Sequence, residues 1–391
     1  MDWDQILEGL RAPATLEELR RTPFFAARGH EIEALLGTPE IVPFGGAEPR
    51  LGAFVRVAQW NIEKGLRFER VLATLETDAV LRWADVVLLN EADFGMNRSG
   101  NRHVARDLAR ALGMHMAFAP VYIELTRGTG EELRLDGENR ESLQGNAVLS
   151  RHPILEARSV PLPACFEPYH FHEKRYGRRN CLWARLQVGS RAWWVGAVHL
   201  EVRNTPRCRA KQVRRLIARL PGPAGAPYLL GGDLNCNGFS RGTLLRTLVS
   251  VWRLLARPVP LVEEDLRRPE RGSEPLFEVL RRQGFRWEGL NASGATASTT
   301  LDGLEDARLL PGWLRARIER RLAGYNHVLD FKLDWLLARG VRPLRAGEAR
   351  DGATGQRSLG PGCAEVPRLG PERISDHAPI YADVALNDTA V

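Results

Sequence analysis

The chain has 391 residues and a formal charge of +7, supplied almost wholly by arginine because lysine occurs only at Lys64, Lys174, Lys211 and Lys332. Its 44% hydrophobic content supports a sizeable core, in one large α/β domain or two smaller ones, and no apolar run approaches the roughly 18 residues that cross a bilayer. Five scattered cysteines without a Cys-x-x-Cys pair argue against a disulfide framework and a zinc knuckle. The acidic Met1–Asp2–Trp3–Asp4 start lacks a signal peptide's apolar segment, so a reducing cytoplasm is the default expectation.

Residues 1–50 read as a helical extension and linker. Leu7, Leu10, Leu16 and Leu19 are spaced for short amphipathic turns, Thr15–Leu16–Glu17–Glu18 is a helix start, and a second helix covers Gly29–Leu36. Pro39, Pro43, Gly45, Gly46 and Pro49 make the linker, and a catalytic-sized domain occupies 51–391. Phe54–Trp60 alternates as a strand that delivers Asn61 and Glu63, a helix carries Val71, Leu72 and Leu75, and Val86–Leu89 is a buried strand ending at Asn90–Glu91. Asp93–Asn101 is a Gly/Arg-rich loop. A helix through Val104, Leu108 and Leu112 stops at Gly113, His115–Leu125 is extended, and Thr126–Gly137 reads as a mobile loop.

Gly145–Ser150 is a short strand. Cys181–Val188 and Ala192–Leu200 form a hairpin about Gly189–Ser190, and the second strand ends on His199. Arg209–Leu220 is an amphipathic helix. Tyr228–Leu230 then runs into Gly231–Gly232–Asp233–Leu234–Asn235. Alternate side chains of an extended segment share a face, so Asp233 and Asn235 point together at the lip of a buried strand. One accepts a proton; the other is an amide that can donate to a phosphate oxygen. The two glycines allow close backbone approach, although strand–Gly–Gly–Asp alone also describes an ordinary turn. Residues 240–328 are an irregular insertion with helical patterns near 241–256, 274–283 and Trp313–Leu322, the last rich in arginine. Val328–Leu337 is a strand holding Asp334, and Ser375–Asp376–His377 precedes the final strand.

Asn61, Glu91, His199, Asp233 with Asn235, Asp334, and Asp376–His377 therefore sit at strand ends or in late strand segments. Unpaired buried polar atoms are costly, and strand ends are where α/β folds assemble sites from distant sequence. Oxygen donors with few carboxylates suit Mg²⁺ or Mn²⁺, and an Asp base with a His complete the parts for in-line attack of water on a phosphoester.

The ordered segments Gln59–Trp60–Asn61–Ile62–Glu63–Lys64–Gly65, Leu89–Asn90–Glu91, Gly145–Asn146–Ala147–Val148–Leu149–Ser150–Arg151, Val198–His199–Leu200, Gly232–Asp233–Leu234–Asn235, Leu333–Asp334–Trp335 and Ser375–Asp376–His377 carry a resemblance. From residue 53 to about 384 the chain resembles the endonuclease/exonuclease/phosphatase superfamily of deoxyribonuclease-I-like, metal-dependent phosphoesterases. The resemblance implies a four-layer α/β sandwich, two mixed β-sheets face to face with helices on the outer faces. It implies Mg²⁺ (or Mn²⁺) held mainly by Glu91 with Asn61 and Asp376, a water oriented and deprotonated by Asp233, and a scissile phosphate held by Asn235. It also implies His377, paired with Asp334, as the group that stabilises the phosphorane.

His199 stands where the deoxyribonuclease and sphingomyelinase branches carry a second catalytic His. Abasic-site endonucleases usually have Tyr there, which counts against an abasic-site repair role. The run from Asn90 to Gly100 is similar to a bacterial subgroup of uncertain substrate; that subgroup commonly has His where this chain has Gln144. Asn146, Arg98 and Arg209 are further candidates for substrate contact. Their structural rivals are an amide pinning a loop, a solvated loop and an ion pair at a helix start. The leading expectation is a nuclease-type phosphodiesterase on DNA or RNA. The alternatives are an enzyme of lipid or small-molecule phosphates and a non-catalytic binding module that keeps the fold; no protein partner is evident.

Overall fold

The structure is a computed structural model that describes residues 2–46, 48–170, 173–241, 243–301, 303 and 310–386; positions 242, 302 and 304–309 of the expected insertion, and 387–391, lie outside the described residues. In chain order its principal helices are α1 (Trp3–Arg11), α2 (Leu16–Arg21), α3 (Pro23–Gly37), α4 (Phe68–Thr77), α5 (Val104–Leu112), α6 (Pro206–Ile217), α7 (Leu244–Ala256), α8 (Val259–Arg267), α9 (Leu276–Arg282) and α10 (Gly312–Leu322). The strands are β1 (Glu40–Val42), β2 (Phe54–Asn61), β3 (Val86–Phe94), β4 (His115–Glu124), β5 (Leu143–Ser150), β6 (Ile154–Pro161), β7 (Arg175–Gly177), β8 (Asn180–Val188), β9 (Arg191–His199), β10 (Tyr228–Asp233), β11 (Ala297–Thr299), β12 (Leu329–Phe331), β13 (Asp334–Arg339), β14 (Gly362–Cys363) and β15 (Ile380–Ala385).

One sheet has the order β1-β4-β5-β3-β2-β15-β14, with β7 added to β4; the other runs β13-β10-β9-β8-β6. Parallel pairs β2/β3 and β9/β10 among antiparallel neighbours make both sheets mixed. Period-two alternation decides which face meets what. Val55, Val57, Val86 and Leu88 point between the sheets and meet Leu182, Leu186, Val195 and Leu229 in one core. Ala58, Trp60, Val87 and Leu89 point outward under α4 and α5, and Trp183, Val198, Leu230 and Leu337 do the same under α6 and α9. The result is the expected helix–sheet–sheet–helix sandwich.

Four local readings differ from the sequence expectation. The N-terminal helices are not an appendage: Ile6, Leu10, Leu19 and Ile32 share a core with Ile123, Leu143 and Tyr176 of the larger sheet. Part of the expected linker is β1, paired with β4. The expected strand Val328–Leu337 is broken into β12 and β13, because the backbone N–H groups of Leu333 and Asp334 both donate to Thr296 Oγ1, at 3.0 and 3.1 Å. Cys165 and Cys208 form a disulfide across a separation of 43 residues, which their scatter did not anticipate.

The region 240–328 holds its own small core, built on Leu254, Val262, Leu266, Leu314, Ile318 and Leu322. Among the described residues no helix is long and apolar enough to cross a membrane.

Candidate active site

The site begins with strand register. β10 pairs in parallel with β9 and antiparallel with β13, so that Asp233 faces His199 on one side and Asp334 on the other. Three side chains far apart in sequence thus occupy one rung at the lip of the smaller sheet. The glycines before them serve close packing, since a Cβ on Gly232 would overlap the Val198 carbonyl and one on Gly231 would press on Leu88. The opposite sheet brings Asn61 and Asn90 to the same level. A bulge in the β3/β5 pairing between Leu89 and Ala92 turns Glu91 inward, its φ held at 55°. Ser375 Oγ donates to the Asn61 carbonyl at 2.7 Å and accepts from the His377 N–H at 3.1 Å, which seats Asp376–His377 over the end of β2.

The convergence is tight. His377 Nδ1 lies 2.7 Å from Asp334 Oδ2, and its Nε2 lies 3.7 Å from Asp233 Oδ2. His199 Nε2 is 3.3 Å from the same Asp233 oxygen, and its Nδ1, with no hydrogen-bond partner among the described residues, is 3.9 Å from Glu91 Oε1. Asn61 Nδ2 bridges Glu91 Oε1 at 3.3 Å and Asp233 Oδ2 at 3.2 Å. The Asn235 N–H donates to Asp233 Oδ1 at 2.9 Å, while Asn235 Nδ2 donates to the Leu200 carbonyl at 3.0 Å.

Charge follows from this crowding. Burial works to raise the Asp233 carboxyl, but His199 and His377 outweigh it and hold the group ionised, well below the usual carboxylate range. Burial likewise disfavours charge on His377, yet Asp334, Asp233 and Asp376 lift its imidazolium well above the ordinary value. Asp376 moves the other way from Asp233: burial, with Glu91 nearby, raises it against the pull of His377. Glu63 is raised to about 7 by burial and by Asp376, although it pairs with Arg373 at 2.6 Å and Arg67 at 3.2 Å.

A cleft of about 190 Å³ opens over these groups. It is lined by the expected Glu91, His199, Asp233, Asn235, Asp376 and His377, and by two arginines that sequence reasoning did not single out, Arg179 and Arg241. Their signal was composition alone, one among many arginines. A larger cavity of about 370 Å³ beside the N-terminal helices contains none of these groups.

Three expected substrate contacts lie elsewhere. Arg98 is fully buried, with Nε and Nη2 on both Asp93 oxygens at 2.7 and 3.0 Å and Nη1 on Glu132 and Glu173 at 3.2 and 3.3 Å. Its bond to Glu132, with Lys64 Nζ 2.7 Å from the same carboxylate, latches the loop expected to be mobile. Arg209 is spent on Glu274, with Nε at 3.2 Å from Oε2. Asn146 sits below the cleft in an amide chain. It donates to Asn180 Oδ1 at 3.1 Å and accepts from Asn90 Nδ2 at 2.8 Å, and Asn90 Oδ1 accepts the Asp233 N–H at 2.8 Å.

A divalent cation fits the donors. Glu91 and Asp376 are half-buried carboxylates at the cleft whose mutual repulsion helps raise Asp376, a strain a cation between them would relieve. Asn61 as oriented turns Nδ2 to the carboxylates while Oδ1 accepts the Glu63 N–H at 3.1 Å, so only a rotated amide would offer oxygen. Among the described residues no three His, Cys, Asp or Glu side chains form a ready metal cluster. Two carboxylates plus water suit Mg²⁺ or Mn²⁺, which keep part of their hydration.

A model of the Endonuclease/Exonuclease/phosphatase family matches residues 58–377. No curated protein matches the chain. Among solved structures it is similar to an endonuclease/exonuclease/phosphatase from Beutenbergia cavernae, with 18% identity over 86% of this chain and 72% of that one and a TM-score of 0.50, which shows the fold. It is also similar to an endonuclease/exonuclease/phosphatase from Bacteroides vulgatus (13% identity, 85% and 99% covered, TM-score 0.48). A third is a humanized D. rerio TDP2 with 14 mutations (16%, 85% and 98%, TM-score 0.41).

Proposed function

The chain belongs to the Endonuclease/Exonuclease/phosphatase family, and from that premise we propose that it hydrolyses phosphodiesters with Mg²⁺ or Mn²⁺. The observation that carries the reading is the single Asp233 oxygen shared by His199, His377 and Asn61 at the floor of a cleft that also holds two arginines. Asp233 orients the attacking water and takes its proton. Two imidazoles keep it ionised across the neutral range, and its N–H bond from Asn90 fixes its backbone.

His377, held protonated by Asp334, faces the charge that builds on the phosphorane. His199 and Asn235 complete the polar wall, and the presence of Arg179 and Arg241 in the cleft lining supports a role for them in meeting non-bridging oxygens. Glu91 and Asp376, with Asn61 after amide rotation, would hold the cation, which when bound neutralises phosphate charge and makes a coordinated water more acidic.

The test is hydrolysis of bis(4-nitrophenyl) phosphate with Mg²⁺, with and without chelator. Asp233→Asn is expected to lower kcat by about 10²–10⁴, the range of a general base. Turnover that survives both chelation and Asp233→Asn refutes the reading.

A further inference from the structure

The two halves of the site belong to different sheets. Asn61, Glu91 and the Asp376–His377 pair come from the larger sheet or its approach to β15, whereas His199, Asp233 and Asp334 stand at strand ends of the smaller one. Deeper in, the contact between the sheets is apolar, and non-directional burial sets their offset less sharply than hydrogen bonds do. Between that core and the catalytic groups lies a layer of carboxamides. Two residues towards the lip from Val57, Leu88, Val148 and Leu182, strand alternation puts Gln59, Asn90, Asn146 and Asn180 on the same inward faces, none more than 3% exposed.

The chain they form has one polarity. The Asp233 N–H can only donate, and it meets Asn90 Oδ1 at 2.8 Å. Asn90 Nδ2 is thereby turned to Asn146 Oδ1 (2.8 Å), Asn146 Nδ2 to Asn180 Oδ1 (3.1 Å), and Asn180 Nδ2 to the Pro120 carbonyl (2.7 Å), which can only accept. Backbone groups at both ends thus orient every amide between them. The first, third and fourth of these bonds cross from one sheet to the other.

Stability does not account for the layer. Gln59 Nε2 also donates to Asn90 Oδ1 at 3.2 Å, yet Gln59 Oε1 is buried with no hydrogen-bond partner among the described residues. A partly satisfied network is less favourable than apolar side chains of the same shape. What the amides add is direction without charge: Asp233 is placed, while its ionisation is left to the imidazoles beside it.

We propose that Asn90, Asn146 and Asn180 are positioning residues that hold Asp233 in register with the cation-holding half of the site. An error of about 1 Å between reacting groups costs about 10² in rate, so the layer acts on kcat. The kinetic consequence rests on the phosphodiester reading above; the hold on Asp233 does not.

The test uses the full chain with Asn146→Ala, which takes the acceptor from Asn90 Nδ2 without altering a sequence neighbour of Glu91. Asn180→Ala is one link further along, and the double variant completes the set. Val148→Ala, one inward position deeper on β5, is the packing control. Hydrogen exchange of the Asp233, Leu229 and Leu230 amides is followed by NMR, and turnover of bis(4-nitrophenyl) phosphate is measured against Mg²⁺. Asn146→Ala should speed exchange at Asp233 at least about tenfold relative to Leu229 and Leu230. It should also lower kcat about tenfold or more, with KM and half-saturating Mg²⁺ unchanged. Val148→Ala should lower the melting temperature and move all three amides together, leaving kcat as it was. The double variant should lose no more kcat than Asn146→Ala, since Asn180 reaches Asp233 through Asn146.

Exchange at Asp233 that stays with its neighbours in Asn146→Ala overturns the hold. A kcat loss matched by Val148→Ala, or additive losses in the double variant, overturns the positioning role. If Asn146→Ala does not fold, Asn180→Ala carries the same readouts alone. If neither folds, the layer serves stability and the proposal fails. A wild type that turns over no phosphodiester while the Asp233 amide responds as expected keeps the hold and refutes the hydrolase reading instead.

Discussion

Arg98→Met separates a substrate arginine from a structural one. The side chain lies among Asp93, Glu124, Glu132 and Glu173, and its own charge is held well above the usual range, with burial opposing and Asp93 the largest support. Met keeps the length and removes the charge, leaving Asp93 and Glu124 fully buried beside Glu173 with less compensation. Breaking a buried pair from one side costs about 3–5 kcal/mol, and the two strong bonds to Asp93 place the loss near the upper end. Urea unfolding at pH 7.5 should show this as a lower midpoint. Asp93 is already raised by burial even with Arg98 present. Without that cation its folded-state pKa climbs further above the unfolded value, so the penalty present at high pH is relieved as pH falls and the two curves converge towards pH 5. KM for a phosphodiester should be unchanged in the folded fraction. A loss under about 1 kcal/mol together with a raised KM would refute the buried-cluster account and return Arg98 to the substrate.

Arg209→Met should likewise cost about 3–5 kcal/mol in urea unfolding by stranding Glu274, and Arg209→Met/Glu274→Met should recover most of it. His152 is buried and its pKa is lowered to about 4 by desolvation. A depressed imidazole stabilises fully above its unfolded value and less as pH falls through the folded one, so it removes about 3 kcal/mol between pH 6.5 and 4. His152→Phe should flatten that part of the stability–pH curve; an unchanged slope would rule the histidine out. Asp334→Asn, which weakens the 2.7 Å hold on His377, should lower kcat by about 10²-fold or more with KM nearly unchanged, and an unaltered kcat would dissolve the pair.

The strand ends were legible because period-two alternation and short buried runs announce themselves locally. Asp233, Glu91 and His199 were read from such runs, and Asp376–His377 from its place before the last one. What stayed illegible depends on partners distant in sequence. Arg98 meets Glu132 and Glu173, 34 and 75 residues away, and Arg209 meets Glu274 at 65, so neither could be told from a surface or substrate arginine. Thr126–Gly137 has the composition of a free loop, yet Glu132 ties it to Lys64 and Arg98. The docking of α1–α3 was equally hidden, because an amphipathic helix declares that it has an apolar side and not what meets it.

The shared rung of His199, Asp233 and Asp334 sets which lengths of this protein can drift. One residue inserted within 191–199, 228–233 or 334–339 would turn that strand's polar group to the opposite side of the sheet and break the triplet. The region 240–328 leaves the rung at Asp233 and returns just before Asp334, so additions in its helical part, away from Arg241 and Thr296, change what overhangs the cleft without shifting the chemistry beneath it. Divergence in this lineage is therefore expected as insertions and deletions in that overhang, with strand lengths frozen below.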